Sequence, residues 1–229
     1  MSKIINILVE GPAEKGLVTK VIEPHLKNFG HTVNYRVITT SWGHKTTRRT
    51  QGGVSNWNLL LKDVKQWASE CQYDTQNVWL TTMFDFYGLS QAHNFNYGDV
   101  MSGLIDPTDR LNKATEHLAK LVDCPNFIPY FQMHEYESLL YTDISILKSY
   151  FPKAITKIQK LKAETSHLGP EEINERIELA PSKRILNIIP EYNDYKADES
   201  SDMIKELGLP FVRSRCPHFD SWLSRLESL

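Results

Sequence analysis

Apolar and polar positions along the chain change period several times, and each change marks an element. Ile4 to Val9 is a short apolar run ended by Glu10-Gly11-Pro12, a pattern that predicts a buried strand and a sharp turn. Pro12 suits the first turn of a helix, where its missing N–H would have no partner anyway. Leu17, Val18, Val21, Ile22, Leu26 and Phe29 follow at helical spacing. Pro24 lies inside that pattern and should kink or split the helix, and Gly30 is a good terminator. Val33, Tyr35 and Val37 alternate with Asn34 and Arg36, the signature of a second strand.

Thr40 to Gly53 is a polar loop, and Leu60, Val64 and Trp67 then mark a helix face. Val78 to Met83 reads as a third strand, ending at Phe84-Asp85-Phe86-Tyr87-Gly88, and residues 88–108 read as irregular. Leu111, Ala114, Leu118 and Leu121 predict the next helix. Phe127 to Met133 reads as a fourth strand, which Pro129 demotes to an edge or a bulge. From about Glu135 the periodicity is mostly helical. Strands alternating with helices predict an α/β fold, a mainly parallel sheet with helices on both faces. Residues 1–138 would form the α/β core. Residues 139–229 would be a helical elaboration, either packed on that core or continuous with it as one domain.

Ligands of open α/β sheets bind beyond the carboxyl ends of the strands. Those ends fall at Glu10, at Asp85 and at His134-Glu135, with Glu14 and Glu137 close behind. Hard oxygen ligands gathered on one edge suit Mg²⁺ or Mn²⁺, ions that polarise phosphoryl oxygens and activate water. Each residue also has a structural explanation. Glu14 would gain ~0.3–1 kcal/mol from the positive end of its helix. Asp85 would cap the turn that follows it, whereas Glu10 ends an apolar strand, where an unpaired carboxylate is costly. Glu135 and Glu137 would face the same side on a strand but diverge on a helix, leaving one in solvent; of the two, Glu135 is favoured. Basic residues for a phosphate occur as Lys45, Arg48 and Arg49 in the polar loop, and as Lys183 and Arg184 opening a short helix. Arg213, Arg215 and His218 cluster around Cys216-Pro217, where Arg215 and His218 are expected to be partly buried.

Composition narrows the function classes. The chain has 229 residues, with 26 Lys and Arg against 28 Asp and Glu for a net charge of −2. That balance argues against a protein that coats DNA but leaves room for a local basic patch. The cysteines Cys71, Cys124 and Cys216 are isolated, with no CxxC pair, so a cysteine zinc site is disfavoured and a reducing cytoplasm fits. No run reaches the ~18–20 apolar residues of a membrane span, and the start does not read as a signal peptide. Gly11 to Gly16 has P-loop spacing, but Leu17-Val18 stand where Lys-Ser/Thr is required. His134-Glu135 does not continue to HExxH, and no GxSxG elbow occurs.

Val9-Glu10-Gly11-Pro12-Ala13-Glu14 resembles the first motif of Toprim domains, and Met83 to Gly88 falls where those domains carry DxDxxG. VEGPAEKG, TTMFDFYGL, FIPYFQMHEYESLL, PSKRI and RCPHFDSWLSRL together resemble a bacterial Toprim-like family of domains of unknown function. That family is related to nucleases of the overcoming-lysogenization type and is often encoded beside AAA ATPases. The resemblance implies a compact parallel sheet and Mg²⁺-dependent phosphodiester chemistry. By that analogy Glu10 is a general acid/base or metal ligand, Asp85 a metal ligand, and Glu14 a holder of a second metal. It also implies an AAA-type ATPase partner and a role in anti-phage defence. Met83 replaces the first Asp of DxD and cannot bind Mg²⁺. Either Glu135 or Glu137 takes its place, or the site binds metal weakly, or it is inactive.

The expected function is therefore a Mg²⁺- or Mn²⁺-dependent nuclease acting on DNA or RNA. Glu10, Asp85 and Glu135 would be central, with Glu14 and Glu137 as further metal ligands. Lys45, Arg48, Arg49, Lys183, Arg184, Arg215 and His218 would position phosphates. The alternatives are a catalytically silent partner or sensor that binds an ATPase or nucleic acid, and an enzyme for small phosphorylated ligands. Homo-oligomerisation is left open.

Overall fold

A computed structural model describes residues 2–38, 56–173 and 179–229. Strand β1 (Ile4–Val9) leads into helix α1 (Pro12–Leu17), a π-helical turn over Val18–Ile22, and α2 (Glu23–Lys27). The wide turn resolves the conflict foreseen at Pro24, which has no N–H for the carbonyl one turn back. The helical backbone runs on through the proline from Pro12 to Lys27, widened by the π turn. Strand β2 (Thr32–Val37), α3 (Trp57–Cys71) and β3 (Val78–Asp85) follow. The third strand runs two residues beyond the expected Met83, so Asp85 is its last residue. Short helices α4 (Phe86–Leu89) and α5 (Tyr97–Val100) occupy the stretch expected to be irregular, before α6 (Pro107–Val122).

The fourth strand is broken into β4 (Phe127–Ile128) and β5 (Phe131–Gln132), both paired with β3 at the sheet edge. Pro129 and Tyr130 interrupt it, as the proline foretold. Hydroxyls carry the pairing across the gap: Thr81 donates to the Ile128 carbonyl at 2.6 Å and Thr82 to the Tyr130 carbonyl at 2.8 Å. The Tyr130 N–H returns a bond to the Thr82 hydroxyl at 2.8 Å.

All pairings are parallel, in the order β2-β1-β3-β4 with β5 alongside β3. Val9 lies beside both Val37 and Met83, and Asp85 beside Gln132. The chain steps from β1 to β2 on one side, and the following strand, β3, lies on the other side of β1. The crevice between the ends of β1 and β3 is thus the switch point where open α/β sheets bind ligands.

Alternation along the strands builds two apolar layers. Ile5, Ile7, Val9 and Met83 belong to one, together with residues of α1, α2 and the helices of the second half. Leu8, Leu80, Phe84, Phe127 and Phe131 belong to the other, with residues of α3 and α6. The second half continues through a buried 3₁₀ segment (Tyr136–Thr142), α7 (Leu147–Tyr150), α8 (Ile155–Thr165), α9 (Pro181–Ile188), α10 (Tyr192–Tyr195), α11 (Glu199–Leu207), α12 (Leu209–Arg215) and α13 (Pro217–Glu227). Among the described residues no helix is long and apolar enough to cross a membrane.

Trp222 of α13 fastens this layer to the sheet. Its ring stacks on Tyr130 at 4.3 Å, and its indole N–H donates to the Thr81 hydroxyl at 2.9 Å. Trp222→Ala should destabilise the fold by about 3–5 kcal/mol through the cavity it opens. Urea unfolding would read this as a lower midpoint at unchanged slope. A loss below about 1 kcal/mol would contradict the anchoring role.

Candidate functional site

The crevice at the strand ends holds a set of carboxyl groups, each positioned by a different element. Glu10 follows β1 directly and is 5% exposed, and its Oε2 accepts the Asp85 N–H at 2.9 Å. Asp85 ends β3, and its Oδ1 accepts the Tyr136 N–H at 2.8 Å. Glu135 Oε2 accepts the Ser182 N–H, in the first turn of α9, at 2.8 Å. Carboxylates thus tie β1 to β3, β3 to the 3₁₀ segment, and that segment to α9. Glu14 sits in the first turn of the protein's first helix, 6% exposed. His134 makes the turn into this region with a left-handed backbone (φ 63°), and its carbonyl accepts the Tyr87 N–H at 2.9 Å. A non-glycine residue pays for that conformation in strain, here where the chain swings Glu135 toward the cleft.

Glu137 departs from expectation. A helical turn was expected to leave either it or Glu135 in solvent, yet both are buried. The 3₁₀ segment is itself enclosed between the sheet edge and the C-terminal helices, so none of its faces meets water. Lys196, just after α10, compensates with its Nζ 2.6 Å from Glu137 Oε1; among the described residues Glu137 Oε2 has no hydrogen-bond partner. A cleft of about 410 Å³ opens over the group, lined by Glu10, Glu14, Asp85, Glu135, Asn193 and Lys196, with Gly11 to Ala13, Tyr87, Gly88 and Ala197.

Crowded charge shifts the titrations. Burial, and then Glu10, push Glu14 up to about 8. Asp85, half-buried as a residue but with its carboxyl among the others, lies well above the usual carboxylate range through burial and then Glu10, Glu14, Glu137 and Glu135. Glu135 is raised by burial and by Glu137. Burial alone would depress Lys196, but Glu137, Asp85 and Glu135 hold it above its ordinary value. The cleft therefore contains more buried negative charge than its lysine neutralises, an arrangement that favours protons or a further cation.

The donor set, hard carboxylate oxygens lining one cleft, fits Mg²⁺ or Mn²⁺. Glu10, Glu14, Asp85 and Glu135 would hold such an ion. Among the described residues no three acidic, His or Cys side chains are already disposed as a ligand set, since backbone N–H groups draw Glu10, Asp85 and Glu135 toward separate partners. Met83 supplies no oxygen: it is fully buried in the apolar layer beside Val9.

The basic residues expected around the site are more scattered. Lys45, Arg48 and Arg49 lie outside the described residues. Lys183 is exposed beside Ser182, and Arg184 donates from Nε to the Leu179 carbonyl at 2.7 Å. Arg215 is exposed rather than partly buried, because Cys216 turns inward from that corner in its place. His218 is half-buried as expected, but it serves packing: Nε2 lies 2.9 Å from the Phe131 carbonyl and the ring stacks on Tyr130 at 5.0 Å. None of Lys183, Arg184, Arg215 and His218 lines the cleft. Lys196 does, and sequence reasoning missed it. It stands in Tyr-Asn-Asp-Tyr-Lys-Ala-Asp, a stretch with the look of a solvated turn.

The fold and cleft define a parallel α/β protein with a buried carboxylate cluster at its topological switch point. A family model described as Domain of unknown function (DUF4276) matches residues 9–227, so the chain belongs to that family. No curated protein matches it. Two solved structures of the C-terminal region of the Xanthomonas campestris pv. campestris OLD protein are similar. The one phased with mercury aligns over 96% of both chains at 15% identity and a TM-score of 0.42. The one phased with iodine aligns over 98% of both at 14% identity and a TM-score of 0.39.

Two predictions follow from the electrostatics. A carboxyl raised in the folded state keeps its proton where the unfolded chain has lost it, so stability falls as pH rises from the ordinary 4.5 toward about 8 for Glu14. His134, held down to about 4 by burial, acts in the opposite sense below its ordinary 6.5. The Glu14 effect is therefore read above that value. Between about pH 6.5 and 8.5 the cation-free chain should lose about 2 kcal/mol or more. Glu14→Gln should flatten this slope in urea titrations, and an equally steep slope in that variant would refute the assignment. Separately, Lys196→Met should cost about 3 kcal/mol by stranding buried Glu137, at the lower end for such pairs because the lysine side chain is 35% exposed. Adding Glu137→Gln should recover much of that loss; no recovery would mean that the pair is not coupled.

Proposed function

We propose that this chain is a Mg²⁺- or Mn²⁺-dependent nuclease of the Toprim-like type, acting on phosphodiester bonds of DNA or RNA. The observation that carries this reading is the convergence of Glu10, Glu14, Asp85 and Glu135 on one cleft at the switch point of a parallel sheet. A divalent ion in that cleft would polarise a phosphoryl oxygen and lower the pKa of bound water. The chain's own residues supply the rest. The backbone bonds from Asp85 and Tyr136 orient the Glu10 and Asp85 carboxylates. Glu14, raised to about 8 in the cation-free cleft, would release its proton as it takes up the ion, so ion uptake at neutral pH is linked to proton release. Lys196, which already pairs with Glu137 in the cleft wall, offers its ammonium to a phosphate oxygen. An AAA-type ATPase partner and a role as the effector of an anti-phage defence system extend the same proposal, and rest on the sequence resemblance alone.

A second reading, a catalytically silent partner or sensor, is favoured by Met83 and by the lack of a ready ligand set among the described residues. Calorimetric titration separates the two, because a silent fold should take up neither Mg²⁺ nor Mn²⁺. The decisive assay incubates DNA and RNA with the chain, with and without an ATPase partner, in Mg²⁺, Mn²⁺ or chelator. Cleavage should require the ion. Combined Glu10→Gln and Asp85→Asn should reduce it by at least about 10²-fold while preserving the backbone bonds. Cleavage in chelator, or full activity in the double variant, would rule the nuclease reading out.

A further inference from the structure

The carboxylate cleft is acidic, and a polyanion approaching it needs positive charge nearby. Among the described residues, the cations anticipated from the sequence (Lys183, Arg184, Arg215 and His218) do not line the cleft, but another group lies close to it. From Lys148 to Lys162 the chain carries five lysines and no acidic residue over 15 positions, within a molecule whose net charge is −2. Lys153, Lys157 and Lys160 recur at intervals of four and three, which brings them to one side of α8 and the turn before it. All three are exposed. Lys160 pairs with Glu164 at 3.8 Å with its side chain 78% exposed, whereas Lys162 points elsewhere and pairs with Asp143.

Two contacts join this strip to the cleft wall. Lys157 Nζ lies 3.4 Å from the Ile188 carbonyl, at the end of α9 from which the chain turns into α10. Phe151 packs edge-on against Tyr195 at 5.3 Å, and Tyr195 immediately precedes Lys196 of the cleft. Tyr195 is 41% exposed, so an aromatic face is available at the junction. On its other side the strip is bounded by acids. The Tyr150 hydroxyl meets Glu206 at 3.3 Å, with Asp202 and Glu199 close by. Negative charge thus lies beside Tyr150, which favours approach of a polyanion from the lysine side.

We propose that Lys153, Lys157 and Lys160, with Tyr195 at the junction, form a docking track for the backbone of a polynucleotide whose reacting phosphate occupies the carboxylate cleft. The proposal rests on the nuclease reading and deepens it: the substrate is a polymer, and its flanking phosphates are held about α8. Lysines along a strand contribute by releasing counterions, and an exposed aromatic ring accepts any base face.

The test measures binding of a labelled single-stranded DNA oligomer to the full chain across a salt series. Lys153→Gln, Lys157→Gln and Lys160→Gln combined should weaken binding by at least about tenfold. The same change should reduce the slope of log affinity against log salt by about 2, from three contacts at ~0.7 each. Arginine at all three positions should restore both, and Tyr195→Leu should weaken binding several-fold with the slope intact. Hydrolysis of bis(p-nitrophenyl) phosphate, which is too small to reach the strip, should be the same in the glutamine variant as in the parent chain. Unchanged affinity and slope would overturn the track. So would undiminished DNA binding accompanied by lost adsorption to phosphatidylserine vesicles, because the lysines would then serve a membrane surface. Cleavage that persists beside unchanged binding sinks the track and leaves the nuclease reading standing. Strip-dependent binding with no cleavage in any divalent ion does the reverse.

Discussion

Mutual repulsion among Glu10, Glu14, Asp85, Glu135 and Glu137 is the constraint around which this molecule is organised. Carboxylates gathered in a partly dry crevice are unstable unless each finds a compensating group. The fold supplies these locally: the Asp85 N–H for Glu10, the Tyr136 N–H for Asp85, the Ser182 N–H for Glu135 and the Lys196 ammonium for Glu137. Each compensating bond is also a tertiary connection, so the same interactions that relieve the charge join the sheet to the second half of the chain. What remains uncompensated appears as the raised carboxyls of Glu14 and Asp85. That residual charge is the chemical resource of the cleft.

The helical second half completes this arrangement. Its apolar residues share one cluster with Ile5, Ile7 and Val9 of the first strand, and its turns deliver Ser182, Asn193 and Lys196 to the crevice. Trp222 and Tyr130 stack at the broken edge strand, where Pro129 has interrupted the backbone ladder. An enclosing layer of this kind keeps water scarce around the carboxyls, which strengthens both their repulsion and their attraction to cations.

Much of the architecture was legible residue by residue. Alternation and apolar runs located β1, β2 and β3, and helical spacing located α3 and α6. Pro24 marked where a helix widens into a π turn, and Pro129 where a strand breaks. Those signals are local, and proline acts locally by removing a donor. The three principal carboxylates were legible too, because a strand end in an open sheet is a position that can be read before the sheet is seen. Glu137 was harder. Its fate depended on whether another layer would cover a 3₁₀ turn, and periodicity does not report that. Arg215 and Lys196 exchanged roles for the same reason: Arg215 beside a buried cysteine points outward, while Lys196 in a polar turn reaches a fully buried glutamate.

By itself, then, the sequence determined the order of strands and helices, the acidic character of the strand ends, and the absence of an oxygen donor at Met83. These follow from side-chain type and spacing, which act over a few residues. Only the tertiary structure decided which carboxylates share a cleft, which lysine neutralises them, and which basic residues stand beside it. Those outcomes depend on chain connections that bring residues 59 to 92 positions apart into contact, such as Glu10 with Asp85, Glu137 with Lys196, and Tyr130 with Trp222. Charge and packing act through space, and separation along the chain does not encode distance in the fold.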